Sequence, residues 1–301
     1  MSTLRVVGTE SGSRTDGTAA PLLIREKAVL RTVLDQARSG GLTVGLVPTM
    51  GALHAGHASL IRRAAAECDL VAVTVFVNPL QFDRPEDLAS YPRALDDDVA
   101  LAGDAGATVV FAPSAEEMFG SGTRTLIHVE GLADRLEGES RPGHFDGVAT
   151  MCTKLFGIVG ACRAYFGEKD FQQVAVVRRL VHDLDLPVEV VACQTVRDTD
   201  DLAFSSRNAL LTEEERAVAP VLHRALQAGA VLAGEGERDP AALAAAVAEE
   251  IGRERRFRLD RIDVVDAETL EPPDVHTTRL RILAAAFLGR ARLIDNLEVP
   301  I

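Results

Sequence analysis

Short apolar segments alternate with helical windows along the first two thirds of this chain, and that alternation restricts the fold more than any other feature. Strands that are apolar throughout are buried on both faces, as in a parallel sheet covered by helices. The pattern therefore predicts an α/β fold with a Rossmann-like, doubly wound parallel sheet. The apolar segments are residues 43–48, 70–77, 108–112, 163–166 and 188–192, and helical periodicity occurs at 22–38, 58–68, 97–105, 147–159 and 171–184.

The pattern changes after Asn208. Residues 212–233 and 240–256 are rich in alanine and helical, whereas 258–266 and 279–287 are typical of strands. We therefore predict a second, smaller α+β domain that acts as a lid. The expected organisation is a disordered tail at 1–20, rich in Ser, Thr and Gly, a Rossmann-like domain at 21–199, and the C-terminal lid domain at 200–301.

The composition argues against several classes of partner. The chain has 301 residues, and its 32 Lys and Arg against 45 Asp and Glu give a net charge of −13. That charge disfavours nucleic acid and anionic membranes as partners. The four cysteines are dispersed, which fits neither a disulfide framework nor a zinc site. Without a secretory signal pattern or a long apolar run, we expect a cytoplasmic protein.

The segment from Pro48 to His57 joins an apolar strand to a helix. His54 and His57 lie three residues apart at the start of that helix, with Gly56 between them. The free N–H groups and the dipole at a helix N-terminus already favour an anion, and two imidazoles add to that preference. In α/β sheets, ligands lie outside the carboxyl ends of the strands, where this segment would be. It therefore predicts a phosphate site in a protein that handles a nucleotide.

Two further segments contain groups that suit phosphate. Phe204 to Asn208 supplies two hydroxyls and the guanidinium of Arg207, which can pair bidentately with a phosphate. Gly167 to Asp170 places Lys169 at the start of a helix, where a cation is disfavoured unless an anion compensates it. From the residues alone, this second segment fits a solvated turn capped by Asp170 equally well.

Amides and carboxylates follow other strands or open other helices. Gln81 lies among apolar neighbours after the second strand, and Gln173 lies one turn into the helix after Asp170. Together they could bracket a small polar ligand, because an amide both donates and accepts hydrogen bonds. Asp97 and Asp98 are among three acids that open a helix, where they suit the dipole or could hold magnesium.

Six motifs occur in a fixed order along the chain. They are Val47-Pro48-Thr49-Met50-Gly51-Ala52-Leu53-His54-x-Gly56-His57, Phe76-Val77-Asn78-Pro79-x-Gln81-Phe82, Tyr91-Pro92-Arg93, Arg141-Pro142-x-His144-Phe145, Tyr165-Phe166-Gly167-Glu168-Lys169-Asp170-x-Gln172-Gln173 and Ser205-Ser206-Arg207-Asn208. Together they resemble the pantoate–beta-alanine ligase, or pantothenate synthetase, family of the His-x-Gly-His nucleotidyltransferase superfamily. The resemblance extends from about residue 22 to the C-terminus and includes Leu293-Ile294-Asp295-Asn296.

The resemblance implies a reaction in two steps. The carboxylate of pantoate attacks the α-phosphorus of ATP, giving pantoyl adenylate and pyrophosphate with the help of magnesium. The amine of beta-alanine then displaces AMP and gives pantothenate. The resemblance also implies a homodimer. We interpret His54 and His57 chiefly as groups that stabilise the negative charge that grows as pyrophosphate leaves, although the family's usual description makes His57 a proton donor.

The same resemblance assigns individual residues. Lys169 would contact phosphate, Asp170 the ribose side, Val196 adenine through its backbone, and Asp97 or Asp98 would lie near the magnesium ion. Pantoate would be held by Gln81, which also lies near beta-alanine, and by Gln173, so the domain at 21–199 would bind ATP and pantoate. The implied catalytic set is His54, His57, Lys169, Ser205, Ser206 and Arg207. The implied ATP-binding set is Met50, Gly51, Ala52, Leu53, His54, Ala55, Gly56, His57, Gly167, Glu168, Lys169, Asp170, Val196, Phe204, Ser205, Ser206 and Arg207.

Three positions depart from the family pattern. Phe204 replaces a usual methionine, Asp201 a usual glycine and Gln194 a usual proline. Asp201 adds negative charge beside the triphosphate loop and lacks the freedom of glycine at positive φ, so we predict weaker ATP binding than in a typical member. Two rival functions stay open, namely another nucleotidyltransferase of the superfamily, such as a cytidylyltransferase or a tRNA synthetase core, and a catalytically silent nucleotide-binding protein.

Overall fold

A six-stranded parallel sheet forms the larger part of the structure, a computed structural model that describes residues 20–82, 88–89 and 91–301. The predicted tail lies almost entirely outside the described residues. The order of the strands is β1-β4-β3-β2-β5-β6. They are β1 (Leu22–Ile24), β2 (Val44–Thr49), β3 (Leu70–Val75), β4 (Val109–Phe111), β5 (Cys162–Gly167) and β6 (Val188–Cys193).

Helices cover both faces of this sheet, and the apolar strands lie between them. One large cluster of buried side chains includes Leu34, Leu46 and Phe156, and a second on the other face includes Val47 and Ile61. The predicted doubly wound sheet is therefore confirmed. The helices of this part are α1 (Lys27–Ser39), α2 (Ala55–Glu67), α3 (Leu95–Asp104), α4 (Ala115–Phe119), α5 (Glu137–Ser140), α6 (His144–Val159) and α7 (Phe171–Asp183).

Strand β2 lies at the point where the strand order reverses. Its neighbours are β3 on one side and β5 on the other, all parallel to it. The carboxyl ends of β2 and β5 therefore meet at one edge of the sheet, the usual ligand position in this architecture. The segments that follow these two strands contain His54, His57 and Lys169.

A three-stranded antiparallel sheet forms the smaller part, in the order β7-β8-β9. Its strands are β7 (Phe257–Asp266), β8 (Arg279–Leu288) and β9 (Ala291–Pro300), and its helices are α8 (Glu213–Val218), α9 (Val221–Gly234) and α10 (Pro240–Gly252). Helices α9 and α10 bury Leu226, Leu243 and Val247 against the sheet. An α+β C-terminal part is confirmed, whereas the boundary between residues 199 and 200 stays a prediction.

Two predicted helices are wrong in part. Residues 22–24 form the edge strand β1, paired with β4, because the Leu-Leu-Ile run gains a ladder and buries Ile24. The helical window at 212–233 is two helices, since Pro220 has no N–H to continue a helix and caps α9 instead. Strand β9 has no counterpart in the prediction. No described helix is long and apolar enough to cross a membrane.

Arginine–carboxylate pairs join the two sheets across a cleft. Arg292 makes a bidentate pair with Glu137, both distances being 2.7 Å. Arg261 contacts Glu139 at 2.7 Å, and Arg135 pairs with Glu271. All three pairs involve residues 135–139, so this short segment anchors the smaller sheet beside the carboxyl ends of β2 and β5.

Candidate active site

The loop after β2 adopts an unusual backbone conformation. Gly51 has φ +82° and Ala52 has φ +50°, both in the left-handed region. The carboxylate of Asp98, on α3, accepts the N–H groups of Ala52 at 3.1 Å and Leu53 at 2.7 Å. A Cβ at Gly51 would lie 2.8 Å from Asp98 Oδ2, so only glycine fits here. Asp98 therefore holds the loop that precedes the histidines.

The two histidines form the N-terminal cap of α2. His54 Nδ1 accepts the N–H of Gly56 at 3.2 Å, and His57 Nδ1 accepts the N–H of His54 at 3.3 Å. Each ring therefore uses Nδ1 as an acceptor, which assigns the proton of the neutral imidazole to Nε2. The ring centroids are 4.1 Å apart. The cap thus prepares two neighbouring Nε2–H donors at a helix N-terminus.

Both imidazoles are neutral near pH 7. Burial lowers the pKa of His54 to about 4, and the positive charge of Lys169 contributes to that shift. Burial, followed by the proximity of His54, lowers the pKa of His57 to about 3. The two rings therefore offer neutral N–H donors rather than imidazolium cations, the form that suits stabilisation of a developing negative charge.

Gln81 ends a short 3-10 turn, Pro79–Gln81, that follows β3. Its side-chain Nε2 donates to Met50 Sδ at 2.8 Å, and its Oε1 accepts from Asn78 Nδ2 at 3.0 Å. Because a thioether is a weak acceptor, the Nε2 group can exchange this partner for a stronger one at little cost. Asn78 also donates to the carbonyl of Gly147 at 3.0 Å, which fixes the turn against α6.

His144 and Arg141 hold the backbone of Gln81. His144 Nδ1 donates to the Gln81 carbonyl at 2.8 Å, and Arg141 Nη1 donates to His144 Nε2 at 3.2 Å. Burial, then the nearby Arg141, lowers the pKa of His144 to about 4, so this ring is neutral too. The sequence analysis assigned no role to this Arg-Pro-x-His motif. Its presence among the six family motifs already indicated that it belongs to the site.

A cavity lies between the carboxyl end of β5 and the smaller sheet. Lys169, Asp170, Gln173 and Arg207 all line it, as does His144. Lys169 Nζ lies 3.9 Å from Asp170 Oδ2. Burial opposes the ionised form of Asp170, but Lys169, Arg207 and the histidines outweigh it and lower its pKa. The cavity therefore contains an ionised carboxylate between two cations.

The side chains of Gln172 and Gln173 differ in their hydrogen bonding. Gln172 is buried and satisfied, since it donates to the carbonyls of Leu132 and Arg135 and accepts the N–H of Glu137. No described residue hydrogen-bonds the side chain of Gln173, which faces the cavity. Gln172 therefore shapes the wall, and Gln173 keeps an amide available for a ligand.

The segment from Val196 to Arg207 folds back on itself as a narrow loop. The carbonyl of Val196 accepts the N–H of Phe204 at 3.1 Å, and the ring of Phe204 stacks on His54 with centroids 6.3 Å apart. Asp201 has φ +71°, a conformation that favours glycine. Asp201 does not line the cavity and is exposed. We therefore expect Asp201 to affect this loop mainly through its backbone conformation and less through its charge.

The two serines begin a short 3-10 turn, Ser206–Leu210. Ser205 Oγ accepts the N–H of Arg207 at 3.2 Å, which leaves its own hydroxyl hydrogen free to donate. Ser206 shares a hydrogen bond with the hydroxyl of Tyr91, whose pKa burial raises. Tyr91 packs edge-on against Phe82 at 5.7 Å, so the motif residues 82 and 91 support the serine loop.

The described residues do not form a metal cage. They contain no group of three or more His, Cys, Asp and Glu side chains that could hold a metal ion. Both oxygens of Asp98 accept backbone N–H groups, and Asp97 is exposed at the start of α3. A magnesium ion at this site would take most of its ligands from phosphates and water, as Mg²⁺ commonly does.

The structure brings most of the predicted site residues to one edge of the sheet. Residues 50–57 follow β2, residues 167–170 follow β5, and Gln173 faces the same cavity as Arg207. Asp97 is exposed and hydrogen-bonds none of these groups. Gln194 is exposed just after β6. Sequence reasoning missed the loop-holding role of Asp98, because its partners lie 45 and 46 residues away.

Comparisons with known proteins identify the family. The sequence model described as Pantoate-beta-alanine ligase matches residues 22–298. The pantothenate synthetase of Moorella thermoacetica is 47% identical over 279 residues, covering 93% of this chain and 99% of that protein. That of Cereibacter sphaeroides is 50% identical and covers 93% of this chain and 100% of its own length.

Solved structures agree with the sequence comparisons. A crystal structure of pantothenate synthetase from Thermus thermophilus has a TM-score of 0.87 at 47% identity, covering 93% of this chain and 100% of that one. A pantoate–beta-alanine ligase from Francisella tularensis, complexed with beta-gamma ATP and beta-alanine, has a TM-score of 0.75 at 31% identity, covering 92% and 97%. The chain therefore belongs to the pantoate–beta-alanine ligase family.

Proposed function

We propose that the cleft described above condenses pantoate with beta-alanine at the expense of ATP, through a pantoyl adenylate. One observation carries the proposal. Two cations, Lys169 and Arg207, and the free amide of Gln173 line one cavity, and Lys169 lies close enough to the two imidazoles at the N-terminus of α2 to lower the pKa of each. Phosphates, a carboxylate and hydroxyls are the groups that such donors recognise.

In the first step, a carboxylate oxygen of pantoate attacks the α-phosphorus, and the bond to the bridging oxygen of pyrophosphate breaks. Negative charge grows on that oxygen as the bond breaks, and fixed donors help most where charge develops. We assign this task to His54 and His57 through their Nε2–H groups, together with Lys169, Arg207 and the serine hydroxyls of residues 205 and 206. None of these groups has to lose a proton.

Pantoate lies between the amides of Gln81 and Gln173 in this proposal. The Nε2 group of Gln81 leaves its weak contact with Met50 Sδ and donates to pantoate instead. The hydrogen bonds from His144 and Arg141 keep the Gln81 backbone in place during that exchange. Orientation of the carboxylate toward the α-phosphorus follows from two amides that bracket it, without an added charge.

In the second step, the neutral amine of beta-alanine attacks the acyl carbon of the adenylate, and the bond to AMP breaks. The amine loses a proton as the amide forms. Asp170 is ionised and lines the same cavity, and we propose for it the contact with the ribose side of the nucleotide that the family resemblance implies. Magnesium would enter with the phosphates of ATP and would supply charge neutralisation there, with Asp97 or Asp98 on α3 as the acid that the family resemblance places near it.

We also propose a homodimer, as the family resemblance implies, together with the cytoplasmic location and the division into a domain at 21–199 and a lid at 200–301 that the sequence pattern predicts. Light scattering of the purified chain tests the dimer. The cleft supports the division, because its walls come from both sheets. Protection from proteolysis near residue 200 on addition of ATP and pantoate would test the lid.

A single assay tests the reaction. Purified protein is mixed with ATP, magnesium and pantoate, and pyrophosphate is followed before and after beta-alanine is added. We expect pantoate-dependent pyrophosphate release, and AMP release that depends on beta-alanine. A protein that binds ATP but releases no pyrophosphate would be the silent nucleotide binder, and release that depends on another acceptor would indicate a different nucleotidyltransferase.

A further inference from the structure

Strand β9 passes between two of the segments assigned to ATP. Asp295 and Asn296 are consecutive on this strand and are both buried, with 4% of each residue exposed. Successive side chains of a strand point to opposite faces. The pair therefore reaches two different segments from adjacent positions, although neither residue has a task in the function proposed above.

Asn296 fixes the turn that contains Lys169. Its Nδ2 donates to the carbonyls of Glu168 and Lys169, both at 2.9 Å. Its Oδ1 accepts from Arg281 Nη1 at 3.0 Å, and Arg281 stacks on the ring of Phe171 at 3.7 Å. All three hydrogen-bonding groups of the amide are used. Neither a carboxylate, which lacks donors, nor an apolar side chain could replace it.

Asp295 fixes the start of the serine loop. It makes a bidentate pair with Arg197, at 2.6 and 2.9 Å, and Arg197 Nη1 also donates to the carbonyl of Asp201 at 3.1 Å. His223 Nδ1, on α9, lies 3.4 Å from the same carboxylate. Burial opposes ionisation of Asp295, but His223 and Arg197 outweigh it and lower its pKa. The fork of Arg197 therefore ties the hairpin at 197–203 to β9.

We propose that Asp295 and Asn296 are positioning residues for adenylate formation. They hold the turn of Lys169 and the loop that leads to Ser205, Ser206 and Arg207 at a fixed separation across the triphosphate. The assignment rests on the proposed function, since it takes from there the contacts of those groups with phosphate. Neither Asp295 nor Asn296 needs to touch a substrate.

The two half-reactions separate this role from a merely structural one. Pyrophosphate leaves in the first step, so contacts with its two phosphates are absent when beta-alanine attacks the adenylate. Loss of the fixed separation therefore slows adenylate formation much more than the second step, in which only Asp170 of this turn still faces the adenylate. A variant that is only partly folded loses both activities by the same factor, so the ratio of the two rates does not change.

The experiment uses Asn296→Asp and Asp295→Asn, each close in shape to the original side chain. Single-turnover pyrophosphate release from ATP and pantoate measures the first step, and AMP release from synthetic pantoyl adenylate with beta-alanine measures the second. Both are measured on the same preparation. Glu271→Gln is the control, because it breaks the pair with Arg135 between the two sheets and touches no segment assigned to ATP.

We expect both variants to lower the first rate by roughly tenfold to a hundredfold and to raise KM for ATP, the size of effect that an ångström of misplacement produces. The second rate stays within about threefold of the original, and the control keeps both rates within the same limit. Equal losses in both steps, or no loss, would overturn the assignment. If the unaltered chain releases no pantoate-dependent pyrophosphate, the proposed function itself fails.

Discussion

Replacement of Asp98 by asparagine separates two roles for this carboxylate, a magnesium ligand and a holder of the loop after β2. Asp98 accepts the N–H groups of Ala52 and Leu53, and it is 3% exposed. The asparagine side chain would keep one acceptor oxygen and turn an NH₂ group toward the other N–H. Hydrogen bonds to a charged acceptor contribute about 1.5–3 kcal/mol each, so we expect a loss of roughly 2–4 kcal/mol.

That loss is measurable without substrate or metal. Denaturant unfolding in EDTA should show the full decrease, and Tm should fall by roughly 5–15 °C for a unit of this size. KM for ATP should rise, because Gly51 and Ala52 relax from their left-handed conformations and the cap of α2 moves with them. The concentration of magnesium at half-maximal rate should not change.

Asp97→Asn is the matched control. It removes the same charge one residue earlier on α3, from an exposed side chain that does not hydrogen-bond the loop after β2. We expect unfolding free energy and KM for ATP to stay close to the original values. If Asp98→Asn leaves stability in EDTA unchanged but shifts the magnesium dependence, the loop-holding argument is refuted and a metal role takes its place.

The remaining predictions use the same geometry. Because the pKa values of His54 and His57 in the free protein are about 4 and 3, a plot of kcat/KM for ATP should show no inflection near pH 6.5. Below pH 6.5 the unfolded chain takes up protons on these histidines and the folded chain does not, so the free energy of unfolding should fall with pH; between pH 7.5 and 5 the loss from the buried His57 alone is about 2 kcal/mol, and a His57→Gln variant should not show it. Asp201→Gly should add up to about 1 kcal/mol of stability by relieving φ +71° and should lower KM for ATP; an unchanged KM would contradict our sequence-based expectation. Gly147→Ala places a Cβ over the Leu80 carbonyl and should raise KM for pantoate, whereas Gly157→Ala on the same helix meets nothing within 4 Å and should not.

The buried strands of the parallel sheet were the elements best predicted from the sequence, because each is a nearly continuous apolar run. Five of the six strands of the parallel sheet were identified, with ends that differ by up to two residues, because burial on both faces leaves few polar positions within them, such as Arg163 and Glu189. Strand β1 was missed because a strand of three residues just before a helix is too short to show an alternating or continuous pattern of its own. Strand β9 was missed because Arg292, Asp295 and Asn296 interrupt its apolar pattern, and all three make polar contacts.

The candidate site was predictable where a motif follows a strand and not where a distant side chain completes it. The position of His54 and His57 follows from the strand-to-helix turn alone. Their protonation does not, since it depends on burial and on Lys169, more than 100 residues away. The same holds for Asp98, which the sequence marks only as one acid among three at the start of a helix.

The neutral state of the two histidines bears on how the cleft handles charge. Lys169 and Arg207 both lower the pKa of Asp170, and two imidazolium ions would add repulsion between cations there. Burial removes that repulsion by keeping both rings neutral, while the cap of α2 keeps their Nε2–H groups aligned. ATP then meets donors that need no proton from solvent and little reorganisation. Preorganised dipoles of this kind stabilise a leaving oxygen most effectively, so the pair suits stabilisation of pyrophosphate better than transfer of a proton to it.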